Sequence, residues 1–395
     1  MMKSPNKESI SFVQFSDKLL TPDSIMRDYY RKTYSKMDGY YFPEHYMEIP
    51  FWIPTIAGVL PSDRYEKSLH IIEDLDASVS LLTQTPQSER ILFSVMDANV
   101  QQVHHLAQSV DRNMILGGYT DPADFSGYRH VRYLNGLGKL TEVLEVQLDS
   151  PPDYTLFRGE KCIPRLMLSD GCLFVCSFCT VPTTLTIASP GKIKEQVEAL
   201  KPLDFKLIFI NDKSFGQAKN WHAIREVSEQ VQQYNQDFLG FIVQTPPSLA
   251  LKDGLMEEAV GLGVKYMEFG VETVNDQHLA LLNKPYRVKH LEEVCERARR
   301  LGLKIIPNFI LGIPGDDYKA TIEWVIRNRD IIPVVNINFL AIHYGNERGK
   351  LPWEAQTVGD RDQNVAEKSW LSQDDLARMK EAMETIYEIT VGSNS

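Results

Sequence analysis

The sequence is short of three things, and each absence excludes a class of function. No apolar run reaches the about 18 residues needed to cross a bilayer, so a membrane partner is not expected. No basic surplus is present: 42 Lys and Arg stand against 53 Asp and Glu, a formal net charge of −11. A protein that binds a phosphate backbone neutralises it with Lys and Arg, so this balance speaks against nucleic acid. Cysteine is scarce. The five cysteines are Cys162, Cys172, Cys176, Cys179 and Cys295, and none precedes Cys162. An odd count argues against a disulfide framework. The first twenty residues, MMKSPNKESISFVQFSDKLL, are polar and lack the apolar core and small-residue cleavage site of a signal peptide. The expected address is therefore the cytoplasm, where thiols stay reduced.

What is present is ordinary globular composition, with 43% hydrophobic and 24% charged residues among 395. Residues 1–50 read as a leader that packs onto a domain, polar and then crowded with Tyr29, Tyr30, Tyr34, Tyr40, Tyr41, Phe42 and Tyr46. Residues 51–158 alternate strand and helix patterns. FWIPTIAGVL, SVSLLT, ILFSVM and MILGG read as strands, and DRYEKSLHIIEDL, VQQVHHLAQSV and LTEVLEV as helices. That alternation predicts a small doubly wound, Rossmann-like domain. From 159 to 345 it becomes longer and more regular, with candidate strands RLMLS, KLIFIN, FLGFIV, KYMEFG, KIIPNFIL and VVNINFLAI and helical patterns between them. Six such units are too few for a closed eight-fold barrel and suit an open, partial one with a mouth at the strand C-termini. Residues 346–370 are polar and irregular, and LSQDDLARMKEAMETIYEIT predicts a terminal amphipathic helix with Ser372 and Asp375 as a capping box. The fold class is thus α/β: a partial (β/α)6 barrel, a Rossmann-like domain before it and a C-terminal helical extension.

The chemistry concentrates in SDGCLFVCSFCTVP, residues 169–182, where Cys172, Cys176 and Cys179 have C-x3-C-x2-C spacing directly after a predicted strand. Thiolates are soft ligands for an iron–sulfur cluster or for zinc. A structural zinc site wants a fourth Cys or His at short spacing, yet His130 and His222 are the nearest histidines in the flanking sequence, each more than 40 residues away. Three protein ligands on a four-iron cluster leave one iron open to a chelating substrate.

This spacing, with the aromatic Phe178 just before the third cysteine, resembles the radical S-adenosylmethionine (SAM) superfamily. The resemblance implies a partial (β/α)6 barrel whose first strand, RLMLS, precedes the cluster loop. It implies a 4Fe-4S cluster on Cys172, Cys176 and Cys179, with the amino and carboxylate groups of SAM on the open iron. KYMEFGVETVNDQHLALLNK is similar to the family's fourth-strand segment, which would turn Glu272 toward SAM. NFILGIPGDD is similar to the fifth-strand turn, which would lay Asn308, Ile310, Gly312 and Pro314 against the adenosyl part, and the sixth strand would add Ile342. On the second strand Asn211 and Asp212 stand where many members carry Gly-Gly-Glu for the SAM amino group. A flavodoxin or ferredoxin would supply one electron. In the family's usual course SAM then breaks into methionine and a 5′-deoxyadenosyl radical, which takes hydrogen from a substrate.

The Rossmann-like domain ahead of the barrel resembles the cobalamin-binding branch, with MILGGYTDPADF at the position of its strand and glycine turn. The D-x-H-x-x-G ligand motif is absent, so cobalamin would bind without that histidine. His104 and His105 fall on a predicted helix and read as core or solvated residues. Methylthiotransferases need three more cysteines upstream, and branches with auxiliary clusters need a cysteine-rich C-terminus; neither is here. Cys295 reads as a core thiol, and Cys162 as a core thiol or a contact for a thiophilic substrate. The expected activity is reductive cleavage of SAM to modify a small molecule, most simply as a transferase. Alternatives are transfer of a 3-amino-3-carboxypropyl group to a heteroatom or metalloid, cobalamin-dependent methylation, and, from another class, a non-catalytic iron–sulfur redox protein. His343, Tyr344, Asn346 and Glu347 are substrate candidates by position at the barrel mouth.

Overall fold

The computed structural model describes residues 7–340, apart from 22–24, 86–88, 97, 119 and 148–149, together with residues 371–392. The chain divides into two compact units. One holds the chain up to Ser24, Phe42–Cys162 and Glu198–Asp204; the other holds Ile25–Tyr41, Ile163–Val197 and the chain from Phe205 on. Among the described residues no helix is long and apolar enough to cross a membrane.

The first unit is a five-stranded parallel sheet. In chain order its elements are β1 (Glu8–Phe15), the single turn α1 (Asp17–Leu20), α3 (Trp52–Val59), β2 (Tyr65–Ile72), α4 (Leu75–Thr83), β3 (Arg90–Val95), α5 (Val100–Ser109), β4 (Asn113–Gly118), β5 (Val131–Tyr133) and α6 (Leu137–Leu144). The helix α2 (Ile25–Tyr34) belongs to the second unit. The strand order is β2-β1-β3-β4-β5, so the order reverses between β1 and β3. That is a doubly wound arrangement, whose ligand crevice lies at the strand C-termini beside the reversal. Val13, Phe15, Phe93, Val95 and Leu116 pack one face against Val103 and Leu106 of α5.

Four expectations for this part of the chain are corrected. The presumed leader contains β1, which is hydrogen-bonded to strands on both sides. FWIPTIAGVL is the helix α3, because a short run buried on nearly every side carries no periodicity to separate helix from strand. DRYEKSLHIIEDL contains β2, and SVSLLT falls inside α4. The helix begins only at Asp74, whose carboxylate accepts from the Ala77 N–H at 2.8 Å as an N-cap.

The second unit carries a curled parallel sheet in the order β6-β9-β10-β11-β12-β13: Arg165–Leu166, Leu207–Ile210, Gly240–Gln244, Val264–Glu272, Lys304–Leu311 and Asn336–Phe339. Between β6 and β9 a small antiparallel pair, β7 (Ser169–Asp170) and β8 (Thr186–Ile187), is followed by α7 (Pro190–Ala199). The later crossovers are α8 (Ala223–Gln232), α9 (Pro247–Ala250) with α10 (Leu255–Gly261), α11 (Asp276–Leu281) with α12 (Val288–Leu301), and α13 (Lys319–Asn328). The last described element is α14 (Gln373–Gly392), before which Ser372 and Asp375 exchange hydrogen bonds as the capping box requires. These are the six parallel strands expected of the partial barrel.

An open barrel leaves a last strand with unpaired backbone groups. Here the tyrosines of α2 cover it. The Tyr30 hydroxyl accepts from the Ile337 N–H at 2.9 Å and donates to the Ile337 carbonyl at 3.2 Å. Tyr29 accepts from the Val335 N–H at 3.1 Å and stacks on Tyr387 of α14 with centroids 3.7 Å apart. The aromatic cluster of the N-terminal region therefore serves packing and edge protection. Cys295 is likewise a core thiol, 1% exposed inside α12 and pushed up to about 12 by burial.

Candidate metal centre

The cysteine loop, residues 171–185, leaves the sheet after β6 and returns through the β7–β8 pair, which closes its neck. Gly171 makes that neck possible: its φ is +91°, and a Cβ there would stand 2.0 Å from the Thr184 carbonyl oxygen. Asp212, directly after β9 and 1% exposed, anchors the near side. Its carboxylate accepts from the Leu168 N–H (2.8 Å), the Ser169 N–H (2.9 Å) and the Ser169 hydroxyl (2.7 Å). Gln217 clamps the loop from both ends of its amide, accepting from the Leu173 N–H at 3.1 Å and donating to the Gly171 carbonyl at 2.8 Å. From the β11–α11 side, Asn283 donates to the Val175 carbonyl at 2.6 Å and the Ser177 N–H donates to Leu282 at 3.1 Å. A loop pinned from two strands holds its three thiols in place before any metal arrives.

The Cys176 thiol is 9% exposed, while Cys172 and Cys179 are half-buried. Burial pushes the Cys176 thiol up; the Lys284 ammonium pulls the other way, and the charges of Glu272, Cys179 and Cys172 add to the rise. The Cys179 Sγ accepts from the Val181 N–H at 3.5 Å. Among the described residues no three His, Cys, Asp or Glu side chains form a group suited to a single metal ion. A four-iron cluster asks for a different donor set, with each thiolate on its own iron corner, and three soft thiolates on one loop supply it.

Beside the thiols lies a buried ion pair. Lys284 Nζ stands 2.7 Å from Glu272 Oε1, and the two side chains are 8% and 9% exposed. The carboxylate gets there through an irregularity at the end of β11. Register slips between Gly270 and Glu272, and Glu272 takes φ +61°, a left-handed backbone that costs a non-glycine residue about 1 kcal/mol. A Cβ on Gly270 would fall 2.5 Å from Glu272 Oε1, so this position has room only for glycine unless the carboxylate moves. Tyr286 braces the bulge, its hydroxyl donating to the Gly270 carbonyl. The Phe178 ring faces the same ammonium, with Nζ 5.4 Å from its centroid, and the Tyr286 ring does so at 5.5 Å.

On β12, Asn308 is in register with Gly270 on one side and with Asn336 on the other. Ile310 lies two residues on, and the turn that follows carries Gly312 at φ +93°, its N–H donating to the Tyr318 hydroxyl at 3.0 Å, and then the half-buried Pro314. Asn211 accepts from Arg165 at 2.6 Å. Both carboxylate oxygens of its neighbour Asp212 hold the neck of the cysteine loop. Ile342, with His343, Tyr344, Asn346 and Glu347, lies outside the described residues. Cys162 is fully buried in the first unit, where burial and then Glu160 and Asp204 push its thiol far up. That is a packed thiol, not one open to a thiophilic substrate. His104 stacks on Phe125 at 4.3 Å, as a core histidine does.

Residues 166–325 match the radical SAM superfamily. This part of the chain is a radical SAM domain. It begins on β6, runs through the cysteine loop and includes Glu272, Lys284 and the Gly312 turn. An uncharacterized protein of Methanocaldococcus jannaschii is 24% identical over 172 residues, a match that spans 42% of this chain and 52% of that one, about half of its length. Among solved structures, the radical SAM methyltransferase TsrM from Kitasatospora setae, described with cobalamin and a 4Fe-4S cluster bound, is similar at a TM-score of 0.58 and 11% identity. That likeness covers 84% of this chain and 75% of TsrM. The cobalamin-dependent SAM radical enzyme OxsB is similar at 0.56 and 12% identity, covering 96% of this chain and 61% of OxsB. At such identities the likeness is one of fold, and it extends beyond the radical SAM domain into the first unit.

Sequence reasoning missed Gln217, Asn220, Asn283, Lys284 and Tyr286. Each acts through a partner far along the chain, as when Asn220 donates to the Leu168 carbonyl at 3.0 Å, and no spacing rule pairs them. The only trace of Lys284 was its place at the end of the Glu272 segment.

Proposed function

We propose that the chain is a radical SAM enzyme that cleaves SAM reductively to modify a small molecule, with transfer as the reaction class. The observation that carries this reading is the buried Glu272–Lys284 pair set against three thiols on a pinned loop. A simple electron carrier needs the thiols but has no use for a paired carboxylate and ammonium on a strained bulge beside them. An amino acid has one group for each: its ammonium is a partner for Glu272 and its carboxylate for Lys284. SAM carries both groups.

Cys172, Cys176 and Cys179 would hold a 4Fe-4S cluster, which when bound would supply one-electron reducing chemistry to the sulfonium of SAM. The protein's own contribution is placement. Asp212, Gln217 and Asn283 hold the ligand loop; Glu272 and Lys284 orient the methionyl end; Asn308, Ile310 and the Gly312 turn lie along β12 for the adenosyl end. A flavodoxin or ferredoxin is the reductant of this reading, and the acidic balance of the chain favours a small molecule over tRNA as substrate. Transfer of a 3-amino-3-carboxypropyl group to a heteroatom or metalloid acceptor is the alternative outcome within the class. Anaerobically reconstituted protein is expected to hold about four irons per chain, and the EPR spectrum of its reduced form should change when SAM is added. A spectrum indifferent to SAM overturns the reading.

A second reading, cobalamin-dependent methyl transfer, is favoured by the first unit. Its β2-β1-β3-β4-β5 order is that of a doubly wound ligand-binding sheet, and the similar TsrM and OxsB structures are described with cobalamin bound. Among the described histidines of the unit, His104 and His130 are committed to Phe125 and to the Ala107 carbonyl. A bound corrinoid would then meet side chains other than these two rings. Protein loaded with hydroxocobalamin and desalted separates the readings: stoichiometric retained corrinoid makes methyl transfer the activity, and a chain that keeps only its cluster spectrum leaves direct radical chemistry.

A further inference from the structure

Past the ends of β11 and β12, two buried polar atoms face each other without bonding. His278 lies on α11 and Asp316 in the turn that leads to α13. His278 Nδ1 and Asp316 Oδ2 stand 3.3 Å apart, with side chains 16% and 8% exposed, yet neither atom makes a hydrogen bond. The distance suits a bond and the alignment does not. Asp316 is held in place, because its Oδ1 accepts from the Tyr318 N–H at 3.0 Å. A buried carboxylate oxygen without a donor opposes the folded state, and native proteins keep few such groups. The chemical sense of the pair follows from what faces what. A bare Nδ1 would set its lone pair against a carboxylate oxygen, so the ring is assigned a proton on Nδ1 by its partner.

The pair lies between two arms of the second unit. One arm runs from Glu272 through α11 to Lys284. It also grips the cysteine loop, where the Ser177 N–H donates to the Leu282 carbonyl at 3.1 Å and Asn283 donates to the Val175 carbonyl at 2.6 Å. The other arm is the turn after β12, which carries Gly312 and Pro314 and is braced by the Gly312 N–H donating to the Tyr318 hydroxyl at 3.0 Å. Backbone pairing of β11 with β12 ends at Glu272 and Phe309. Beyond that point the ladder no longer joins the arms, and His278 meets Asp316 across the gap.

We infer that His278 and Asp316 are a positioning pair for SAM: their hydrogen bond closes when SAM spans the two arms, and it sets how tightly SAM is held. The inference rests on the reading of the chain as a radical SAM enzyme and deepens it. SAM would engage Glu272 and Lys284 with its methionyl end and the β12 turn with its adenosyl end, so its binding draws α11 toward the turn. A ligand shifts an equilibrium by its differential interaction with the two states. A bond made only in the bound form therefore adds to affinity, while in the free chain it is unmade and adds little to stability. The pair places other groups rather than reacting, and it acts through α11 and the turn.

The test titrates the reconstituted, reduced full chain with SAM under anaerobic conditions and follows the EPR signal. It compares the unaltered chain with His278→Leu, His278→Asn and His278→Gln. Leucine keeps apolar bulk and removes the donor. The asparagine amide N–H falls where Nδ1 stood, and the glutamine amide N–H where Nε2 stood. His278→Leu is expected to weaken SAM binding about ten-fold or more, the worth of a buried hydrogen bond to a charged acceptor. His278→Asn should return to within about three-fold of the unaltered chain, and His278→Gln should stay near His278→Leu. Iron content and the melting temperature of the SAM-free samples should be alike across the set. Unchanged SAM affinity in His278→Leu overturns the inference, as does a glutamine that rescues as well as asparagine. A SAM-free melting temperature that falls in step with affinity, with no rescue by asparagine, also overturns it and makes the pair a tie of the fold. An unaltered chain with a full cluster and no response to SAM overturns the enzyme reading, and the inference with it, so the two failures are distinguishable.

Discussion

A Cys176→Ala chain is expected to emerge from anaerobic reconstitution colourless, with its four irons lost and no turnover of SAM. The size of the effect follows from the donor count. The loop offers three thiolates, and the proposed cluster would use all of them. Cys176 is the most buried of the three, and the Lys284 charge favours its thiolate, so no solvent ligand replaces it easily. Cys172→Ala and Cys179→Ala should behave alike, whereas Cys162→Ala, which removes a packed thiol of the first unit, should leave iron content unchanged. Iron and sulfide assays with the visible spectrum decide it. Retention of a full iron complement in any of the three loop variants contradicts the ligand assignment.

Breaking the buried pair is the other large effect. Lys284→Met strands the Glu272 carboxylate in a site where both side chains are under 10% exposed. Removing one partner of such a pair costs about 3–5 kcal/mol, while replacing both with apolar groups is close to neutral. Chemical denaturation of the cluster-free chain should therefore show a marked loss for Lys284→Met and recovery of most of it in the Lys284→Met/Glu272→Met chain. The same double variant, though stable, should fail to bind SAM. That combination distinguishes a pair kept for ligand recognition from one kept for the fold. Additive losses in the double variant, or SAM affinity intact, would sink the role given to the pair.

The barrel half of the chain was legible because its physics is repetitive. KLIFIN, FLGFIV and KIIPNFIL are short apolar runs buried on both faces, and the helices between them are amphipathic, so pattern and packing agree. The first unit was harder. β1 hides in ESISFVQF because serines make it look polar, yet the Ser11 hydroxyl is fully buried, 2.7 Å from Ser68 Oγ on the neighbouring strand. Missing β1 and the Asp74 cap put the following elements out of phase. The three cysteines announced themselves by spacing. Lys284 did not, because its meaning depends on a turn that brings it back twelve positions onto Glu272. Asp212 was visible as an acidic residue after the second barrel strand, but its work on the Leu168 and Ser169 amides is a matter of three-dimensional placement.

The central claim is that this chain breaks a carbon–sulfur bond of SAM by one-electron reduction. It is tested most directly by mixing reconstituted protein with SAM and dithionite under anaerobic conditions and identifying the products by mass spectrometry. The account predicts a SAM fragment that needs both the cluster and the reductant: 5′-deoxyadenosine if hydrogen abstraction is the course, methylthioadenosine if the aminocarboxypropyl group leaves. SAM recovered intact beside a full, reduced cluster would contradict it.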